Sequence, residues 1–110
     1  MIIRKQKAIV KLLILITGFV IQPISADEKA FWIDVRTTEE FISGHVDDSI
    51  NIPYDKIKDN LHLLPHNKNA QINVYCRSGR RSNIAKILLL GLGYLNVVDH
   101  GGLDNVASKF

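Results

Sequence analysis

Residues 71–82 read Gln-Ile-Asn-Val-Tyr-Cys-Arg-Ser-Gly-Arg-Arg-Ser, and no other stretch says as much about the fold. Gln71 to Cys76 is a short β-prone run, and Arg77 to Ser82 is a basic turn around one glycine. Ile84, Ile87, Leu88 and Leu92 then recur at helical spacing, with Leu89 and Leu90 widening the stripe up to Gly91 and Gly93. A strand that passes through so short a turn into a helix is the repeating unit of a parallel sheet.

The same alternation extends in both directions. Upstream, Phe31-Trp32-Ile33-Asp34-Val35 predicts a strand. Thr37 and Glu40 stand at capping-box spacing at the start of a short helix, which Gly44 stops after Ser43. Ser49-Ile50-Asn51-Ile52 predicts a second strand closed by Pro53. Tyr54 to His62 predicts a helix with Ile57, Leu61 and Leu64 on one side, ended by Pro65. Downstream, Asn96-Val97-Val98-Asp99 predicts a fourth strand, with a short helix after Gly102. The expected fold is therefore α/β, a small parallel sheet with helices on both faces. In so small a core Trp32 and the Leu-rich helix are expected to weigh heavily.

The chain of 110 residues has room for one such domain. Its first 26 residues belong to a different class of sequence. Arg4, Lys5 and Lys7 precede an uncharged run from Leu12 to Ile21, and Ile24 and Ala26 form an aliphatic-x-small pattern just before Asp27 and Glu28. That is the layout of a cleavable signal peptide, and the ten-residue run is short of the roughly 20 a spanning helix needs. The expected division is a signal peptide over 1–26 and a domain over 27–110, with no membrane anchor after cleavage and export to a bacterial periplasm. Four of the fourteen basic residues lie before Asp27, which leaves ten against all eleven acidic ones in 27–110. The formal charge of +3 thus comes from the leader, and nothing in the remainder resembles a nucleic-acid footprint.

Cys76 is the one cysteine, so neither a disulfide framework nor a multi-thiolate zinc site is available. It ends a strand of a parallel sheet, on the edge where ligands of such sheets bind. The turn after it leads to a helix N-terminus, which favours an anion, and Gly79 lets the backbone curl its amides inward. Arg77, Arg80 and Arg81 add positive charge. All of these lower a thiol pKa from its usual value of about 8.5 and attract an anionic substrate. The reading is a nucleophilic cysteine in an anion cradle, against the plainer alternative of a small buried hydrophobe beside solvated arginines.

Cys-Arg-Ser-Gly-Arg-Arg-Ser resembles the active-site loop of rhodanese-type sulfurtransferases. Asp34-Val35-Arg36, Glu39-Glu40-Phe41, Gly44-His45-Val46, Ser49-Ile50-Asn51-Ile52-Pro53 and Gly101-Gly102-Leu103 are similar to that family's other landmarks, in the same order. The likeness runs from about Trp32 to about Val106 and is greatest to the exported, single-domain phage-shock protein E type. It implies a rhodanese-like fold and a thiosulfate sulfurtransferase without a cofactor, expected to be a monomer. Cys76 would take the outer sulfur of thiosulfate as a persulfide and pass it to cyanide or a thiol. Arg77, Ser78, Gly79, Arg80, Arg81 and Ser82 would bind the anionic donor through amides and side chains. Which arginine points inward stays open. Cysteine phosphatases need Cys-x5-Arg, and here Ser82 stands at that place.

Other titratable residues are read as structural. His100 precedes Gly101 on the same edge as Cys76 and is read as a loop histidine, and His45 as part of a helix end. His62 and His66 have metal-like spacing but Pro65 lies between them and no third ligand is evident. Arg36 and Glu40 are expected to pair at i, i+4, framing the site with Asp34. Besides the enzyme, the loop is compatible with a persulfide carrier or sulfur-binding module that serves a protein partner with little turnover.

Overall fold

The computed structural model describes residues 29–109. The signal peptide expected over 1–26 and the domain start at Asp27 lie outside the described residues. Four strands form one sheet: β1 (Phe31–Asp34), β2 (Ile50–Asn51), β3 (Ile72–Cys76) and β4 (Val97–Gly102), in the order β2-β1-β3-β4. Every pairing is parallel, with Ile33 opposite Ile50 on one side and opposite Val74 on the other. The helices are α1 (Thr38–Ile42), α2 (Arg80–Gly91) and α3 (Leu103–Lys109), and a 3-10 segment spans Tyr54–Leu63.

All five side chains of β3 are buried. Successive residues of a strand point to opposite faces, so both faces of the sheet are covered. One face carries Ile33, Ile72, Val74 and Cys76, packed with Ile57, Ala85 and Leu89 in the main apolar core. The other carries a polar set. On it the Tyr75 hydroxyl accepts the Val46 N–H at 3.0 Å and lies 3.1 Å from Ser49 Oγ.

Several expectations are corrected. The segment after Pro53 is 3-10 rather than α, two short helices joined by a kink at Asn60, whose φ is −131°. That change of rise turns Leu61 out to 48% exposure, while Ile57 and Leu64 stay buried. On α2 the buried face is Ser82, Ala85 and Leu89, at i, i+3 and i+7. Ile84, Ile87 and Leu90 are exposed, Ile87 by 63%. The apolar stripe in the sequence is therefore wider than the surface the sheet offers. Trp32 is half-buried and lies outside the main core, stacked on His100 with ring centroids 4.7 Å apart. Strand β4 runs on through Gly101 and Gly102, and β2 is only two residues long.

Candidate active site

Cys76 is the last residue of β3, buried to 1% exposure. The chain then turns at Gly79, whose φ of 108° lies in the left-handed region that glycine adopts without strain. This turn carries the chain back over the sulfur. The Gly79 N–H donates to Sγ at 2.9 Å, and the thiol lies 3.5 Å from Ser82 Oγ. The Ser82 hydroxyl itself donates to the Gly79 carbonyl at 3.0 Å, tying the first turn of α2 to the loop.

The thiol pKa reflects opposed effects. Burial pushes it up, and it is outweighed by the Ser82 hydroxyl and by the amides of Ser82, Gly79 and Ser78, so the net direction is down. Hydrogen bonds to the charged form stabilise that form. The pocket is thus built for sulfur carrying negative charge.

The loop rests on the end of β4. Beside Cys76 in the register stands Gly102, and a Cβ there would overlap the Arg77 carbonyl oxygen. Gly79 in turn lies close to the Gly101 Cα. The double glycine is the floor on which the loop lies, and at Gly102 there is no room for a side chain beneath Arg77.

The three arginines have three different surroundings. Arg77 is exposed, and Arg80 is exposed with Cζ 5.7 Å from the Tyr54 ring centroid. Arg81 is half-buried and forms a two-point ion pair with Glu40, at 2.7 Å and 3.1 Å. The hydrogen bond from Arg81 holds the Glu40 carboxyl down to about 2, and Glu40 raises Arg81 in return. The expected Arg36–Glu40 pair is therefore corrected. Arg36 turns back to Asp34, with Nη2 2.6 Å from Oδ2, and donates to the Gly44 carbonyl. Both residues are buried, and Asn51 donates to the backbone carbonyls of each. This cluster fixes the end of β1, on which α1 and Glu40 depend.

Glu40 frames the site as expected, but its pairing with Arg81 is what sequence spacing missed. It lies 41 residues before Arg81, so no local periodicity links them. His100 faces away from the sulfur: its Nε2 lies 2.8 Å from Asn73 Oδ1, on the Trp32 and Tyr75 side of the sheet. His45 stacks on Phe41 and its Nδ1 lies 2.8 Å from the Phe41 carbonyl, which closes the end of α1.

Comparison with known proteins agrees with this geometry. Residues 20–109 match the family described as rhodanese-like domain. The chain is 40% identical over 85 residues to thiosulfate sulfurtransferase PspE of Escherichia coli (strain K12), covering 77% of this chain and 80% of that one. Among solved structures, a rhodanese with anions from E. coli superposes with a TM-score of 0.67 at 39% identity, covering 72% of this chain and 93% of that one. A rhodanese-like domain protein from Staphylococcus aureus does so with a TM-score of 0.63 at 32% identity, covering 74% and 78%. With its cysteine loop, parallel sheet and matched length, the chain belongs to the rhodanese-like domain family and is a rhodanese-like sulfurtransferase.

Proposed function

We propose that the protein is a thiosulfate sulfurtransferase whose nucleophile is Cys76. The observation that carries this reading is the ring of donors around Sγ, the Gly79 amide at 2.9 Å foremost, which favours a thiolate and then a persulfide anion. The thiolate attacks the outer sulfur of thiosulfate. The new Sγ–S bond forms as the donor S–S bond breaks, its electron pair leaving with sulfite. Cyanide or a thiol then attacks the outer persulfide sulfur and regenerates the thiolate. The amides from Arg77 to Ser82 stabilise charge in both states, and they exist before the donor arrives, so little reorganisation is needed. Arg77 and Arg80, exposed at the loop, are the arms offered to the donor.

We further infer that residues 1–26 are a cleaved leader and that the protein works in the periplasm. This rests on the basic, apolar and small-residue order of that segment.

The enzymatic reading is tested by thiocyanate formation from thiosulfate and cyanide. Sustained turnover that disappears in Cys76→Ser is expected. A single transfer per protein with no turnover would instead indicate a carrier that hands sulfur to a protein partner.

A further inference from the structure

Of the three guanidinium groups on the loop, one is already matched by an acid of the same chain. Glu40 meets Arg81 at two points, and its position does not depend on Arg81. Its Oε1 also accepts the Thr37 N–H and hydroxyl at 3.3 Å and 3.1 Å, so the capping box of α1 holds the carboxylate in place. Arg81 lies one residue before Ser82, whose Oγ is 3.5 Å from the sulfur. The charge on Cys76 reaches Arg81. Among the described residues, Arg77 and Arg80 have no carboxylate partner.

We propose that Glu40 is a positioning residue that sets the donor-charge preference of the site, by holding Arg81 in a neutral pair and leaving two uncompensated guanidiniums. This deepens the sulfur-transfer reading above and rests on it. Thiosulfate is a dianion and its leaving group, sulfite, is a dianion as well. A loop with three free guanidiniums would bind the donor more tightly but would also retain sulfite. Two match the donor and let the product go.

The test compares two donors that load the same sulfur. From thiosulfate the thiolate takes the outer sulfur and releases sulfite. From methanethiosulfonate, a monoanion, it takes the outer sulfur and releases methanesulfinate, with one S–S bond broken and one formed in each case. Glu40→Gln is the variant of choice, because Gln keeps the capping box and removes only the charge. The ratio of kcat/KM for thiosulfate to that for methanethiosulfonate should rise about tenfold at low ionic strength, because one added positive charge favours a dianion over a monoanion. Inhibition by sulfite should tighten in parallel. Arg81→Gln leaves the Glu40 charge bare, so the ratio should fall, and the double variant should return it to the wild-type value. In 1 M salt, where the screening length is about 3 Å, the differences should collapse.

A purely structural ion pair would lower both donors alike and leave the ratio unchanged, and that result overturns the proposal. Each single variant is decisive by itself, so if one fails to fold the other still tests the proposal. If the wild-type protein takes sulfur from neither donor, the sulfur-transfer reading fails, and this inference with it.

Discussion

Cys76 is a sulfur atom under two opposed pressures. Its burial favours the neutral thiol, whereas the Ser82 hydroxyl and the amides at 78, 79 and 82 favour the anion and prevail. Titration of the thiolate by its ultraviolet absorbance should give a midpoint below the value of about 8.5 for a free thiol. Below that midpoint the protein holds the less reactive thiol, so the rate of sulfur loading should fall as pH drops through it. Ser82→Ala removes one of the stabilising groups and should raise the midpoint by about one pH unit, the scale of one hydrogen bond to a charged atom. An unchanged midpoint would mean that the amides alone set the thiol. The cysteine loop was legible in sequence because its geometry is local: seven consecutive residues contain the proposed nucleophile, the turn glycine and the helix start. The choice among the arginines was not legible, because it depends on Glu40 and Tyr54, which approach only through the sheet and its crossovers.

The elements matter to the site chiefly through where they end. Strand β3 delivers Cys76, α2 begins over it, and β4 ends in Gly101 and Gly102 beneath the loop. Gly102→Ala is expected to push the Arg77 carbonyl and Ser78 away, cost about 1–3 kcal/mol of stability by overpacking, and raise the Cys76 pKa as the amides lose their aim. Thermal unfolding and the thiolate titration check this together, and a normal titration midpoint would show that the loop holds its shape without the glycine floor. Strand and helix order was readable because period-two and helical patterns alternate with glycine and proline between them. The facing of helices was less so. Ile84 and Ile87 fit the apolar stripe as well as Ala85 and Leu89 do, and only packing against β3 and β4 selects the narrower face. Likewise Arg36 had two acids within reach. Burial of Asp34 at the end of β1 decided the pairing, since a carboxylate with no solvent requires its partner more than an exposed one does.

Across the whole molecule, charge is distributed so that the loop stands out from its surroundings. Residues 27–110 have one more acidic than basic side chain, yet three of the ten basic ones lie within five residues of Cys76. The proposed attraction of an anionic donor would therefore be a property of the loop rather than of the protein as a whole, and should weaken with salt. The parallel sheet places the sulfur at its carboxyl edge, where α2 begins. The most direct measurement is the intact mass of the reduced protein after thiosulfate, and again after cyanide. A gain of one sulfur atom that cyanide removes, and that Cys76→Ala never acquires, is the predicted result. A folded protein with a free thiol that gains no mass, or a gain that persists in Cys76→Ala, would contradict the assignment of Cys76 as the atom that carries the transferred sulfur.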